Sequence, residues 1–492
     1  MSDILTGLAS FGSPEALAFM LAGIAIGCIF GLVPGLSGLT AIALLLPFVY
    51  GMDPGVGLSF LLATHAVVNT GGSLTAILVG IPGAPSNTAT VLDGYPMAQR
   101  GEGGRALGAA LTASAIGGVL GSIVLIAMLP VLQPIVLYFQ SPETFMIAVL
   151  GVTFIAVLGS QDMVKGLLSG ALGMFLATFG YHSVSGVPRF WLDIDQMLDG
   201  FPLIPVALGL FAIPEIVALG QTGGGVARRG IAETSLRNIL KGAADAFVRI
   251  WLVVRASLIG VFVGLIPGLG GETAPWMAYA AAKATSRKPE EFGHGSVEGV
   301  IAPEACNNSK EGGALVPTLA FGIPGSSAMA ILIGAFFVLG LEAGPQFLRN
   351  HMDIAVHLSV TLAVANIVAA VLLILLGPYL ARVTVVPGRI LAPLLMVTLI
   401  VGTYSVENNL AHVLFLIIFG VLGFLLKEFK FNRPALLLGF VLAPMIETYM
   451  HIASRAHGWT FIFRPLPLAI LVIILLALLW PAVRRRRGRA DR

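Results

Sequence analysis

Apolar stretches of about 20 residues follow one another along almost the whole chain, and each is long enough to cross a membrane as a helix. Only 11% of the 492 residues are charged, which is too few to cover a water-soluble protein of this size. The sequence therefore predicts an all-α polytopic integral membrane protein with about 10–12 transmembrane helices. A secreted disulfide scaffold, a nucleic-acid-binding protein and a cytosolic enzyme are excluded.

Two further apolar segments, 39–50 and 58–68, are too short to span a membrane comfortably. Both lie beside Pro-Gly clusters, which interrupt helices because proline lacks an N–H group and glycine relaxes the backbone. We therefore predict that both segments belong to broken or re-entrant helices.

Two motifs occur once in each half of the chain. Gly-Leu-Val-Pro-Gly-Leu-Ser-Gly at 31–38 returns as Gly-Leu-Ile-Pro-Gly-Leu-Gly-Gly at 264–271, and Gly-Ile-Pro-Gly at 80–83 returns at 322–325. This ordered repetition predicts an internal duplication. We expect residues 1–219 to form the first membrane repeat, 220–249 a basic cytoplasmic linker, 250–465 the second membrane repeat, 466–483 an additional C-terminal transmembrane helix and 484–492 a basic cytoplasmic tail.

Basic residues are distributed differently in the two halves. Residues 51–68 of the first half contain no Lys or Arg, whereas the matching region of the second half contains four. These four are Lys283, Arg287, Lys288 and Lys310. Because basic loops stay in the cytoplasm, equivalent loops should lie on opposite faces, as in the inverted repeats of many secondary transporters. The basic linker and tail then place the C-terminus in the cytoplasm and the N-terminus outside.

The Pro-Gly-Leu-x-Gly motif of each half predicts a helix break that exposes backbone groups. In hydrocarbon such groups must be satisfied by protein, water or a ligand, and half-helix ends attract ions. A simple kink is the structural alternative. The residues assigned to these breaks or to a coupling ion are Pro34, Gly35, Ser37, Gly38, Pro267, Gly268, Gly271, Thr273 and Glu304. A sodium ion is one coupling cation that the helix breaks could hold.

Polar side chains flank the Gly-Ile-Pro-Gly motif in both halves. Amides and hydroxyls both donate and accept hydrogen bonds, which suits a site for a carboxylate and a hard cation. The same side chains could instead cap the hairpin helices. The residues predicted to contact the substrate are Asn69, Thr70, Ser73, Pro82, Gly83, Ser86, Asn87, Asn307, Asn308, Pro324, Gly325, Ser326 and Ser327.

Ionisable residues near membrane depth are functional candidates because burying them is costly. Glu304, just before the apolar run 314–339, either binds a coupling cation, carries a proton or is a solvated cytoplasmic carboxylate. Lys310 is either a counter-charge for the substrate or an interfacial anchor. The eight histidines, Asp53 and Asp93 fall mostly near the ends of spans and are interpreted as interfacial.

Two other functional classes compete with a carrier. Gly35-Leu-Ser-Gly38 matches the motif of rhomboid-type intramembrane proteases, but the second copy has Gly270 in place of Ser37. The shared element is therefore the break and not the hydroxyl, and we expect no enzyme activity. The chain has no Gly-Lys dipeptide for a phosphate-binding loop. An ion channel with re-entrant loops is the main alternative.

Three blocks together resemble one transporter family. These are Pro34-Gly-Leu-Ser-Gly38, the segment from Asn69-Thr-Gly-Gly-Ser73 to Gly80-Ile-Pro-Gly83, and the segment from Pro303-Glu-Ala-Cys-Asn-Asn308 to Gly322-Ile-Pro-Gly325. They are similar to the large membrane subunit of the bacterial tripartite tricarboxylate transporters, over roughly residues 17–480. The resemblance implies a permease of the cytoplasmic (inner) membrane that imports tricarboxylates or other small organic acids. The outward N-terminus expected from the charges would then lie in the periplasm.

The same resemblance implies two protein partners, a small four-helix membrane subunit and a periplasmic solute-binding protein that delivers the carboxylate. It also implies that a gradient of Na⁺ or H⁺ drives uptake, by alternating access of a site near the membrane midplane. No cofactor besides the coupling cation is expected.

Overall fold

The computed structural model describes residues 2–33, 36–158, 162–221, 235–267, 271–380 and 388–490. Helices account for 82% of it. In the described part, the β-structure is one short antiparallel ribbon of β1 (Gly180–Tyr181) and β2 (Pro188–Arg189), which the sequence did not predict. The expected all-α polytopic membrane fold is confirmed.

Twenty α-helices make up the described bundle. They are α1 (Ser2–Phe11), α2 (Pro14–Leu32), α3 (Gly38–Leu45), α4 (Pro54–Leu78), α5 (Thr88–Gln99), α6 (Gly103–Leu137), α7 (Ser141–Leu158), α8 (Met163–Leu176), α9 (Leu203–Gln221), α10 (Leu236–Val248), α11 (Ile250–Leu265), α12 (Ala274–Thr285), α13 (Glu298–Phe321), α14 (Ser327–Val338), α15 (Pro345–Asn350), α16 (Met352–Leu380), α17 (Gly388–Glu407), α18 (Leu410–Glu428), α19 (Arg433–His457) and α20 (Pro465–Ala490).

Eight helices of the described part are long and apolar enough to cross a membrane, namely α2, α4, α6, α9, α16, α17, α18 and α19. The pair α10 and α11, bent by 74°, adds a ninth if it forms one span. The predicted number of about 10–12 is reached only if some of the five shorter apolar helices also cross.

Helix α4 occupies the centre of the bundle, and its apolar window is entirely buried inside the protein. Asp53 caps its first turn by accepting a hydrogen bond from Val56 N–H, and Pro54 fits the first helical position. The prediction that residues 58–68 belong to a broken or re-entrant helix is therefore wrong. These residues lie within one continuous 25-residue helix. Buried polar residues after position 68 end the apolar run without ending the helix.

The helix packing is duplicated, with the two halves exchanging partners. In the first half α2 packs along α4, and in the second half α11 packs along α13. Helix α6 of the first half packs on α13, whereas α16 of the second half packs on α4. Likewise α8 packs on α19 and α18 packs on α9.

The two equivalent helices α4 and α13 run antiparallel where they cross. Along α4, His65, Thr70 and Ser73 contact residues of α13 that descend in number, namely Glu311, Asn308 and Glu304. Such a crossing is expected when a twofold axis in the membrane plane relates the two halves. It agrees with the predicted inverted repeats.

Both Gly-Ile-Pro-Gly motifs are helix ends. Gly80 and Gly322 have φ angles of 74° and 67°, the left-handed region that glycine adopts without strain. The apolar run 314–339 is thus not one span, because α13 stops at Phe321 and α14 starts at Ser327. Glu304 consequently lies inside α13, not ahead of a helix.

The predicted linker and tail contain helical structure. Residues 236–248 of the linker form α10, which packs on α6, while residues 222–234 lie outside the described part. Helix α20 begins at Pro465 and continues through the predicted tail to Ala490. The division of the chain into repeats, linker and tail remains a prediction.

Candidate functional site

The crossing of α4 and α13 carries a buried polar stripe. His65 Nε2 lies 3.1 Å from Glu311 Oε2 at one end of this stripe. Ser73 Oγ lies 2.6 Å from Glu304 Oε2 at the other end. About two helical turns separate His65 from Ser73 on α4, so the ends lie about 12 Å apart along that helix. We call this set of residues the polar crossing.

Glu304 forms the anionic end of the polar crossing and is fully buried. Its Oε2 accepts hydrogen bonds from Ser73 Oγ at 2.6 Å and from Ser114 Oγ of α6 at 2.9 Å. Its Oε1 accepts from Thr90 Oγ1 of α5 at 2.6 Å and, at 3.4 Å, from Asn87 Nδ2. Three helices of the first half thus enclose a carboxylate of the second half. The interpretation of Glu304 as a solvated carboxylate is wrong.

The hairpin tip of the first half packs onto the same stripe. Ser86 Oγ donates to Asn69 Oδ1 at 2.9 Å, and Asn87 Nδ2 donates to the Asn69 carbonyl at 2.9 Å. Gly83 is buried against Gly72, where an added Cβ would overlap the α4 backbone. Five predicted residues of the first half, Asn69, Thr70, Ser73, Ser86 and Asn87, therefore do come together, with Gly83 beneath them and Pro82 half-buried beside it.

Several buried amide atoms on α4, on α13 and in the hairpin of the first half have no hydrogen-bond partner within the described residues. Both side-chain atoms of Asn307 are unpartnered, and so are Asn69 Nδ2, Asn87 Oδ1 and Asn308 Oδ1. Each unpaired buried polar atom costs about 1–3 kcal/mol, so such a cluster is expected where a ligand supplies the missing partners. Asn308 Nδ2 is in contrast fully engaged, donating to Thr70 Oγ1 at 2.7 Å and to Asn366 Oδ1.

The other end of the polar crossing is ionic, and sequence reasoning did not predict the contact between His65 and Glu311. Lys310 Nζ lies 2.8 Å from Glu311 Oε1, and both side chains are buried with His65. Lys310 is therefore not an interfacial anchor, and the interfacial interpretation is wrong for His65. Glu311 faces His65 of α4, whereas the Lys310 side chain lies against Glu311 and Gly271.

The ionisable residues of the polar crossing are not duplicated. Counting back from the two Gly-Ile-Pro-Gly motifs, Glu304 corresponds to Leu62 and Lys310 corresponds to Val68. By the same count, Glu311 corresponds to Asn69 and His65 to Asn307. The two halves share the arrangement of their helices but have different ionisable side chains at equivalent positions.

The hairpin of the second half contributes structure more than polar contacts. Gly325 N–H donates to Thr318 Oγ1 at 3.3 Å, and Pro324 is buried next to it. Ser326 caps α14 by accepting from Met329 N–H, and Ser327 is exposed. These four predicted residues have no hydrogen bond to the unpartnered amides in the described part of the chain.

The residues predicted at the two helix breaks fall into three groups, namely helix caps, residues packed near the polar crossing, and residues outside the described part of the chain. Ser37 caps α3, and Gly38 packs against the ring of His65. Gly271 lies beside the Lys310 side chain, Pro267 is buried, and Thr273 is exposed at the start of α12. Pro34, Gly35 and Gly268 lie outside the described residues.

Asp93 on α5 is another buried carboxylate, contrary to its interfacial interpretation. Its Oδ1 accepts three backbone hydrogen bonds, from Gly293, Gly295 and Ser296, at 2.7–2.9 Å. Its Oδ2 accepts from the Tyr279 hydroxyl at 2.8 Å. Asp93 therefore fixes the loop that leads into α13. In the part of the chain that is described, no group of three or more His, Cys, Asp and Glu residues could hold a metal ion.

Comparisons with known proteins agree with these features. The sequence model described as the Tripartite tricarboxylate transporter TctA family matches residues 17–438. A 52.8 kDa protein of the TAR-I ttuC′ 3′ region of Agrobacterium vitis is 30% identical over 508 aligned positions, covering 99% of this chain and 98% of that protein. A protein of the TAR-II ttuC′ 3′ region of the same organism is 34% identical over 236 positions, covering 46% of this chain and 97% of that protein. No solved structure matches.

Proposed function

This chain belongs to the tripartite tricarboxylate transporter TctA family, and on that premise we propose that it is the large membrane subunit of a cation-gradient-driven importer of tricarboxylates or other small organic acids. The protein is a multi-pass membrane protein of a transporter family. We place the substrate at the polar crossing and assign no catalytic activity to the chain.

The observation that carries this proposal is the group of unpartnered amides between two charged ends. A carboxylate can accept hydrogen bonds from Asn69 Nδ2 and Asn307 Nδ2, which lack partners inside the described structure. Lys310 lies at the ionic end, where a substrate carboxylate would compete with Glu311 for its ammonium group. The donors and the charge fit an organic anion.

The antiparallel relation of α4 and α13 supports alternating access. In a twofold-related pair, each half provides an equivalent broken helix and hairpin, one toward each face of the membrane. We propose that the two hairpins, which follow α4 and α13, form a mobile transport domain that carries the polar crossing from one face of the membrane to the other.

The surrounding assembly is part of the same proposal. We propose a bacterial inner-membrane location, with the C-terminus in the cytoplasm and the N-terminus in the periplasm, because the linker and the tail are basic. A periplasmic solute-binding protein would deliver the acid, and a small four-helix membrane subunit would complete the complex. Ser37 Oγ lies 3.1 Å from Thr40 Oγ1 and caps α3, which supports a structural role for the serine of the protease-like motif.

The sharpest test is Asn307→Leu in the complete complex. Replacing an unpaired buried amide with an apolar group of similar size is close to neutral for stability, so the variant should be as stable as the native protein. Uptake of labelled dicarboxylates and tricarboxylates into vesicles under imposed Na⁺ or H⁺ gradients should fall at least tenfold. Asn350→Leu, at an exposed asparagine of α15, is the control and should transport normally. Native uptake by Asn307→Leu would remove the substrate from this site.

A further inference from the structure

We propose that Glu304 is the group that binds and releases the coupling proton, and that Ser73 is the hydroxyl that serves both protonation states. This inference rests on the proposed ion-coupled uptake and names its coupling ion. It assigns energy coupling to the anionic end of the polar crossing, apart from the amides assigned to the substrate.

The surroundings of Glu304 are polar but uncharged. Its hydrogen-bond partners are three hydroxyls and one amide, and the carboxylate is fully buried. A buried charge without an opposite charge is costly, so protonation of Glu304 changes the energy of the conformation that buries it appreciably. Hydroxyls can exchange the roles of donor and acceptor, which a lysine or arginine partner cannot do.

A site that binds and releases a proton needs a neighbour that can hydrogen-bond to both protonation states. The Ser73 hydroxyl can do this because its single proton has two possible acceptors. Its Oγ lies 2.6 Å from Glu304 Oε2 and 3.2 Å from the carbonyl oxygen of Asn69. When Glu304 is ionised, Ser73 donates to the carboxylate. After proton uptake, the new O–H bond on Oε2 donates to Ser73 Oγ, and the Ser73 hydroxyl turns to the Asn69 carbonyl. The proton comes from water at one face and returns to water at the other, so no other bond forms or breaks.

The contact distances favour a proton over a metal ion at this carboxylate. Distances of 2.6 Å from Ser73 and Thr90 to Glu304 are those of direct O–H···O⁻ hydrogen bonds. Two oxygen atoms that close leave no space for an ion between them. Ser73 also accepts from Asn87 Nδ2 at 3.2 Å, which connects Glu304 to the hairpin tip and to Asn69.

Other titratable groups lie on the helices that surround Glu304. They are His65 on α4, Asp93 and Tyr95 on α5, Arg105 on α6, and Glu298, Cys306, Lys310 and Glu311 on α13. None of these hydrogen-bonds to Glu304 or pairs with it in the described structure. A proton that binds at Glu304 therefore changes the hydrogen bonds of neutral side chains that belong to the first half.

The experiment compares two modes of transport by Glu304→Gln in vesicles that contain the complete complex. Gln mimics the protonated carboxyl but cannot release a proton. Accumulation driven by a proton gradient should therefore fall at least tenfold more than substrate exchange, which needs no net proton movement. Glu298→Gln, a half-exposed carboxylate on the same helix, is the control and should retain both modes.

The outcomes separate this inference from the proposed function. Equal losses of accumulation and exchange, or unchanged proton-driven accumulation, would overturn the role of Glu304. A native complex that accumulates the acid only with a sodium gradient would overturn proton coupling but leave the carrier intact. A native complex that moves no organic acid under either gradient would instead overturn the proposed function.

A second pair of variants applies if Glu304→Gln does not reach the membrane. Ser114→Ala removes a donor to the ionised form only and should shift the pH profile of uptake upward by about one unit, as expected for one lost charge-assisted hydrogen bond. Ser73→Ala removes a partner of both forms and should shift the profile less while lowering the maximal rate. Two unshifted profiles would overturn the inference.

Discussion

Glu311 should hold the ionic end of the polar crossing together, and replacing it with glutamine measures by how much. The carboxylate lies between Lys310 Nζ at 2.8 Å and His65 Nε2 at 3.1 Å, and all three side chains are at most 8% exposed. At an effective dielectric constant of 20, Coulomb's law gives about 6 kcal/mol for two unit charges 2.8 Å apart. Glu311→Gln removes this attraction and leaves the ammonium of Lys310 buried without an opposite charge.

Removal of one partner from a buried ion pair typically costs about 3–5 kcal/mol, and we expect that loss in the free energy of unfolding. The double variant Lys310→Met/Glu311→Gln removes both charges, and Met keeps the unbranched stem of Lys310. Because replacing a whole buried pair with apolar groups is often neutral, the double variant should be more stable than either single variant. The double-mutant cycle should give a coupling energy of at least about 2 kcal/mol.

The chain offers its own probe of unfolding. It contains only two cysteines, Cys28 and Cys306, and both are buried. A thiol-specific fluorogenic maleimide therefore reacts when the bundle opens, and a loss of 3 kcal/mol raises the opened fraction about 150-fold. Labelling in detergent should accelerate at least a hundredfold for Glu311→Gln.

Two results would refute this reasoning. Labelling of Glu311→Gln at the native rate would mean that the ion pair adds nothing to stability. A double variant that labels as fast as the two single effects combined would mean that the charges do not interact. Glu298→Gln, at a half-exposed position of the same helix, is the control and should change the rate less than about threefold.

Two further predictions concern backbone contacts. Gly312→Ala should lower the free energy of unfolding by about 1–3 kcal/mol, because the added Cβ overlaps the backbone of Gly121. Gly334→Ala is the control and should be neutral or stabilising, because the atom nearest to its added Cβ is 3.4 Å away. Equal thiol-labelling rates for the two variants would contradict this prediction. Asp93→Asn should weaken the hydrogen bonds to residues 293–296 and speed trypsin cleavage after the nearby exposed Arg287 about tenfold. An unchanged cleavage rate would show that Asp93 does not fix the loop.

The sequence predicted the fold class and the duplication because both depend on patterns that tertiary contacts do not erase. Apolar length predicts membrane helices, and repeated Pro-Gly motifs mark equivalent helix ends. The prediction for residues 58–68 is wrong because a long apolar run indicates a helix that faces lipid. Helix α4 is surrounded by protein instead, so it continues through the polar residues Asn69 and Ser73.

The candidate site was predicted in part, along one of its two sides. Polar residues beside the first Gly-Ile-Pro-Gly motif lie together in the structure because they are close in sequence and share one hairpin, and their contact with the substrate stays a prediction. Their partners on α13 could not be paired with them, since the antiparallel register of two helices about 240 residues apart is a property of the bundle. His65 and Glu311 were missed for the same reason.

The unequal chemistry of the two halves has a consequence for how a bound molecule can be oriented. A perfectly twofold centre would look the same from inside and outside the cell, and it could not tell one end of a cargo molecule from the other. In this chain Leu62 and Val68 occupy the positions in the first half that correspond to Glu304 and Lys310 in the second. The helices are therefore related by the twofold axis, but the charged side chains are not. A chain made of two copies of the first half would keep the matching helix ends, yet it would have neither the carboxylate of Glu304 nor the ammonium group of Lys310 at its centre.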